Sequence, residues 1–258
     1  MSELHWKTSI TDIQPNKISV RGYPIDQMIG KVSFSQAIYL VLKGEMPSPE
    51  VGQLIDAILV SSIDHGASPP SVLASRTVAS TGAELNAAVA AGILAISRYH
   101  GGAIEEAMKL FQKIAERCEV TKKPEEETAL KILKGMKESG KRASGFGHRI
   151  HTRDPRTKKL FDLAKDLGLS GKHVSIACAV EKSLEELSGK SLPINVDGAI
   201  AALLCDLDIS PEIGNAFFMI ARVPGLVAHI HEEKTRMKPM RKIHPQDFEY
   251  DGPQERKI

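Results

Sequence analysis

From Ser33 onward, this 258-residue chain repeats one signal: a capping residue or proline, apolar side chains three and four apart, then glycine or proline. "VSFSQAIYLVLKGEMP" shows it in full. Ser33 and Gln36 make a capping box, apolar residues follow, and Gly44 and Pro47 end the segment. The same pattern predicts helices over 71–80, 83–98, 101–117 and 125–138. Asp154-Pro155 starts another, with Leu160, Leu163, Ala164 and Leu167 as its buried stripe. Further helices are predicted over 171–188, 197–207 and 211–231, the last opened by Ser210-Pro211-Glu212. Strand signals are confined to "KISVRGYPI", which suggests a short hairpin. There is no internal repeat and no low-complexity segment. The chain is therefore expected to be all-α.

With 42 % hydrophobic residues, the chain can bury one large domain, or a main domain with a smaller one. Its 34 basic and 32 acidic side chains nearly balance, which excludes the basic excess of a nucleic-acid binder. Aromatic residues are only 5 %, too few for base-stacking platforms. Basic residues are dense at 141–159 and 234–242, so any bound anion is expected to be small. Cys118, Cys178 and Cys205 are odd in number and form no C-x-x-C, which points away from disulfides and zinc and towards a reducing cytoplasm. "MSELHWKTSI" lacks the layout of a signal peptide. "AAVAAGILAI" and "AFFMIARVPGLVAHI" read as too short or too interrupted to span a bilayer. A soluble cytoplasmic protein is the expectation.

Several polar residues stand out from this helical background. In "SGFGHRIHTRDPR", glycines before His148 permit an unusual backbone and close approach of a ligand. Arg149, Arg153 and Arg156 can bind carboxylates through paired N–H groups; the plainer alternative is a basic surface loop. His100, in "SRYHGGAIEEA", sits where one helix stops and another begins; it either presents a neutral imidazole or caps a helix. Asp197 is the one acid in the apolar run "NVDGAIAALL", as an N-cap with Asn195 or as a proton carrier whose pKa burial raises. Arg222 is the one charge in "NAFFMIARVPGLVAHI" and needs either a salt bridge or an anionic ligand. Pro224 beside it is expected to bend the helix. His65 lies in the loop "DHGASPPS". "HIHEE" does not put both histidines on one helical face, so no metal site is expected.

Taken in order, these motifs resemble the citrate synthase family. The resemblance runs from "TSITDIQPNKISVRGYPIDQM" and "SFSQAIYLVLKGEMPS" through "DHGASPPS", "YHGGAIEEAM", "GFGHRIHTRDPR" and "NVDGAIAALL" to "FFMIARVPGLVAHIHEE". It implies a helical fold with a large domain (1–103 and 206–258) and a smaller coenzyme-A-facing domain (104–205). It implies that His100, His148 and Asp197 are catalytic. His100 would bond the thioester carbonyl oxygen, Asp197 would move a proton at the acetyl methyl, and His148 would handle the oxygen that is hydroxyl in the citryl group and carbonyl in oxaloacetate. His65, Arg156 and Arg222 would hold substrate carboxylates. Charge and position add Lys141, Arg142, Arg149 and Arg153, with Gly145 and Gly147, as the coenzyme A contacts.

Two departures from the family pattern refine this expectation. A long helical insertion after "KGEMPSPE" is missing, which resembles the compact layout of citryl-CoA lyase and of the matching module of ATP-citrate lyase. Near the C-terminus, where the family has arginine before proline, this chain has His244-Pro245; Arg241 is the substitute. The implied activity is cleavage of citryl-CoA to acetyl-CoA and oxaloacetate, with no prosthetic group or metal. A short citrate synthase is the alternative, and a silent coenzyme-A-binding relative is the second. A homodimer or higher homo-oligomer is implied, with no nucleic-acid or membrane partner.

Overall fold

A computed structural model describes residues 6–147, 154–242 and 244–257. Three short strands come first: β1 (Thr11–Gln14), β2 (Lys17–Val20) and β3 (Tyr23–Pro24), antiparallel and in sequence order. Thr11 pairs with Val20, and Val20 with Tyr23. The hairpin read from the sequence is β2–β3. Its turn residues Arg21 and Gly22 both have positive φ, 48° and 85°. Arg21 also ties the sheet down, donating from Nε and Nη2 to the Val41 carbonyl at 3.2 and 2.8 Å.

The rest is helical: α1 (Ile25–Met28), α2 (Phe34–Lys43), α3 (Pro49–Ser61), α4 (Pro70–Ser80), α5 (Leu85–Leu94), α6 (Ala103–Thr121), α7 (Glu125–Glu138), α8 (Pro155–Asp166), α9 (Lys172–Ser188), α10 (Val196–Asp206) and α11 (Gly214–Arg236). The Ser33–Gln36 capping box forms as read, and Gly44 ends α2 in the left-handed region. The 83–98 segment is shorter than its periodicity suggests. It stops at Leu94, and Ser97 and His100 exchange backbone hydrogen bonds at 2.8 Å in a tight turn. Glycines Gly101 and Gly102 then hand the chain to α6, Gly101 at φ 79°.

The chain divides into two compact units. The first comprises Met1–Asp64 and Ser97–Arg222. Its centre is α10, apolar on every side from Gly198 to Cys205 and packed against α6, α8 and α9. Phe111, Met108 and Ile104 of α6, Ile176 of α9 and Phe217 of α11 complete that core. Asp206, at the end of α10, accepts backbone N–H bonds from Gly171 and His173 at 2.8 and 2.9 Å and so caps α9.

The second unit comprises His65–Ile96 and Val223–Ile258. Ala79, Ala88 and Ile230 form its core. Gly92 lets α5 approach α4 closely, since a Cβ there would lie 2.1 Å from Ser75 Oγ. Glu233, 2 % exposed, receives Arg76 Nε at 2.7 Å and Arg241 Nε at 2.9 Å.

Pro224 is accommodated within one continuous helix, so 211–236 is long and apolar enough by length and composition to cross a membrane. The interruption that the sequence suggests there does not occur. Its apolar side chains Phe217, Phe218, Leu226 and Ile230 are nonetheless buried in protein, as are the charged Arg222 and Glu233.

Candidate functional site

Asn195 caps α10, its side-chain oxygen accepting from the backbone of Asp197 and Gly198 at 3.0 and 3.2 Å. Asp197 is therefore not the cap. It occupies the second helical position, where backbone N–H groups and the helix dipole favour an anion. Even so, burial pushes its carboxyl above the ordinary carboxylate range; Arg156 and Arg222 pull it down, and Asp154 pushes it up. Asp197 keeps intermediate exposure despite lying deep among protein atoms, so a ligand can reach it. A carboxyl in this state is suited to accept and return a proton.

Arg222 is 2 % exposed. Its Nε donates to the Ser62 carbonyl at 3.0 Å, and its guanidinium carbon lies 4.7 Å from the Phe218 ring centroid. Burial works against its charge, while Asp64 and Asp197 favour it. Its Nη1 is buried with no hydrogen-bond partner among the described residues. A buried cation with an unspent donor is suited to an incoming anion. Phe218 also meets the His100 ring edge-on, with centroids 5.6 Å apart, and so links histidine and arginine. Asn215 fixes the start of α6 by bonding both the backbone and the carboxylate of Glu105, at 3.1 and 3.0 Å.

Arg156 is held in place before any ligand arrives. Its Nε and Nη2 bond Asp154 at 3.0 and 2.8 Å, and Nη1 donates to the Ser61 carbonyl at 3.2 Å. One N–H remains on each terminal nitrogen. Asp154 caps α8 and also accepts from Val196 N–H at 3.2 Å, which joins the starts of α8 and α10. Burial opposes its ionisation, but the Arg156 and backbone hydrogen bonds prevail and hold it below the usual range.

The glycine turn is clipped to the foot of α10. Gly147 N–H donates to the Pro193 carbonyl at 2.7 Å, and Asn195 N–H to the Gly145 carbonyl at 3.1 Å. Asn195 Nδ2 adds a bond to the Gly147 carbonyl at 2.9 Å. Phe146 stacks edge-on against Phe111 of α6, with centroids 6.1 Å apart. Gly145 and Gly147 have φ of 87° and 77°, so both need glycine.

The structure thus brings His100, Arg156, Asp197 and Arg222 into the first unit, with Asp197 under the influence of both arginines. His148, Arg149 and Arg153 lie outside the described residues. Arg142 is exposed, as is Lys141. His65 belongs to the second unit, exposed in the loop before α4. Arg241 is also in the second unit, its guanidinium engaged by Glu233. Sequence reading missed Phe218 and Gly198, and gave Asp154 only as the start of α8, without its hold on Arg156. Phe218 was findable, because it lies four residues before Arg222 on one helical face.

Comparison with known proteins completes the description. Residues 47–246 match the family model "Citrate synthase, C-terminal domain". The chain is 43 % identical to citryl-CoA lyase from Hydrogenobacter thermophilus, covering 98 % of this chain and 97 % of that one at a TM-score of 0.89. It is 31 % identical over 205 residues to ATP-citrate synthase beta chain protein 1 of Oryza sativa, covering 73 % of this chain but only 32 % of the rice chain. It is 30 % identical over 220 residues to citrate synthase 2 of Bacillus subtilis, covering 84 % of this chain and 55 % of that one.

Proposed function

Since this chain belongs to the citrate synthase family, we propose that it is a citryl-CoA lyase, cleaving citryl-CoA to acetyl-CoA and oxaloacetate. The observation that carries this reading is the likeness to the Hydrogenobacter citryl-CoA lyase along almost the whole of both chains. The site geometry supports it. Arg222 offers a buried free donor, and Arg156 two remaining N–H groups, to the carboxylates of the oxaloacetate half. The proposed step is a retro-Claisen cleavage. His148 removes the citryl hydroxyl proton, and the C–O bond becomes the ketone of oxaloacetate. The carbon–carbon bond breaks, and its electron pair passes into the thioester as an enolate. His100 donates a hydrogen bond to the enolate oxygen, and Asp197, protonated, delivers its proton to the terminal carbon.

Lys141, Arg142, Arg149 and Arg153 are proposed to meet the coenzyme A phosphates, with 104–205 as the coenzyme-facing part. The exposed apolar face of α5, with Leu85 48 % and Leu94 82 % exposed, is proposed to be covered by a second copy of this chain. The protein is proposed to act in the cytoplasm.

The relative named citrate synthase 2 favours a second reading, in which the thioester is hydrolysed after condensation. Incubation with citryl-CoA should yield acetyl-CoA and oxaloacetate. With acetyl-CoA and oxaloacetate instead, rapid free-thiol release and accumulating citrate would replace the lyase reading with the synthase.

A further inference from the structure

The segment Pro193–Asn195 runs beside the glycine turn as one side of a minimal antiparallel bridge. Ile194 faces Phe146 across it. The hydrogen bonds around the bridge are made by the neighbours of Ile194: Gly147 N–H to the Pro193 carbonyl, and Asn195 N–H to the Gly145 carbonyl. In such a pair the bridging residue turns its own N–H and C=O away from the partner, towards the outer edge. Ile194 is only 4 % exposed, so these two backbone groups need partners within the protein.

Two side chains take the place of a third strand there. Glu181 of α9 accepts from Ile194 N–H at 2.8 Å, and the Thr157 hydroxyl of α8 donates to the Ile194 carbonyl at 3.1 Å. Thr157 follows Arg156 directly, and Asp154 just before them accepts from Val196 N–H at 3.2 Å. The start of α8 therefore grips this segment at 194 and at 196, on either side of the Asn195 cap. Asp197 is the next residue along. The side chains at 181 and 157 come from different helices and meet one peptide segment from behind, while its front carries the turn 145–147.

We infer that Glu181 and Thr157 are positioning residues for the proposed reaction. Their partner is backbone, and they act through it. They fix Ile194; Pro193 and Asn195 then fix the glycine turn, and the same segment leads into the helix that carries Asp197. This inference rests on the reading of Asp197 as the group that returns the proton. A misplacement of about 1 Å at a reacting group can cost about 10²-fold in rate, so the loss of one support is expected in kcat more than in KM.

The test is steady-state citryl-CoA cleavage by the full chain, with thermal melts on every variant. Glu181→Leu removes the acceptor, and Glu181→Gln keeps an oxygen in its place. Thr157→Val removes the hydroxyl at nearly constant shape, and Thr157→Ser keeps it. Val180→Ala is the packing control: it is fully buried in α9 beside Glu181 and carries no polar side-chain atom. Glu181→Leu is expected to lose at least tenfold in kcat with KM within about threefold of wild type, and Glu181→Gln to regain most of that loss. Val180→Ala is expected to melt earlier yet keep the wild-type kcat.

If Glu181→Leu does not fold, the Thr157 pair decides: the valine variant should lose about threefold or more in kcat, and the serine variant should not. Glutamine as impaired as leucine at 181, a kcat loss in Val180→Ala as large as in Glu181→Leu, or wild-type kcat in both Glu181→Leu and Thr157→Val would overturn the positioning role. A wild type that does not cleave citryl-CoA but condenses acetyl-CoA with oxaloacetate removes the lyase reading alone; the same variants compared in condensation, which uses the same acid and turn, then decide this inference. A wild type active in neither direction removes both.

Discussion

The carbonyl oxygen of Gly145 lies 2.2 Å from the point where a Cβ on Gly198 would stand, and a Cβ on Gly145 would lie 2.7 Å from the Gly198 Cα. Two backbones therefore touch where any side chain would part them. One precedes residue 148 by three positions; the other follows Asp197 directly. Their contact sets how the turn leading to the histidine sits against the helix that carries the acid.

Gly198→Ala should force the two apart. Overpacking of this kind costs about 1–3 kcal/mol, so a thermal melt should show a lower Tm. Citryl-CoA cleavage should fall further than the loss of stability explains. An unchanged Tm and unchanged kcat would mean that the turn shifts freely.

Asp197 should show opposite signs for activity and stability. Burial raises its folded pKa above the unfolded value. Its contribution to stability is then greatest below the unfolded pKa and is lost as pH rises through the folded one. Asp197→Asn removes a buried charge that disfavours folding at neutral pH. The variant should melt higher than wild type at pH 7, with the difference shrinking in acid, while cleavage is lost. Melts across pH 4–8 compared with turnover check this.

Arg222→Met should separate binding from folding. A buried ion can often be replaced by an apolar side chain at little cost in stability, so Tm should hold or rise. Charge-assisted hydrogen bonds are worth about 1.5–3 kcal/mol each, so kcat/KM for citryl-CoA should fall roughly 10- to 100-fold. Wild-type kinetics in this variant would remove Arg222 from the carboxylate site.

Asp154 holds Arg156 and caps α8, with a folded pKa below its unfolded value. Its contribution is present above the unfolded pKa and is lost as pH falls through the folded one. Breaking a fully buried pair costs about 3–5 kcal/mol; with Arg156 a quarter exposed, Asp154→Asn should lose less than that at pH 7 and show a shallower acid limb in denaturant titrations than wild type. Its KM should rise as well, since Arg156 loses its anchor.

Glu233 is almost wholly buried between Arg76 and Arg241. Burial resists its charge, but the hydrogen bonds from the two arginines prevail and hold its pKa down. Glu233→Gln leaves the well-buried Arg76 with only the longer Glu232 contact, at 4.0 Å, as its ion pair and should lower Tm clearly. Arg241 is more exposed, so Arg241→Ala should cost about 1 kcal/mol or less. Equal losses in the two variants would show that the pair, and not the buried carboxylate, holds the tail.

Much of the fold was legible because helix signals are local. A capping box, a proline at the first turn and a three-four stripe each lie within a few residues, so α2, α7 and α8 fall where the sequence puts them. The end of α5 did not, because Ala95 and Ile96 continue the helical period past Leu94 and carry no stop signal before the Ser97–His100 turn. The burial of Arg222 was also legible, since an arginine alone in an apolar run signals itself.

What the sequence determined, then, is a helical chain in which Asp197 and Arg222 must be buried and must be answered by something. Only the tertiary structure decided what answers them. It set Phe218 between His100 and Arg222, gave Arg156 to Asp154, left one Arg222 nitrogen without a partner among the described residues, and laid Gly145 on Gly198. The Asp154–Arg156 and Phe218–Arg222 contacts are local, but those of His100 with Phe218 and of Gly145 with Gly198 join segments tens to more than a hundred residues apart. No local pattern encodes which carbonyl will meet which glycine; that is fixed when α6, α8 and α10 pack around a common core.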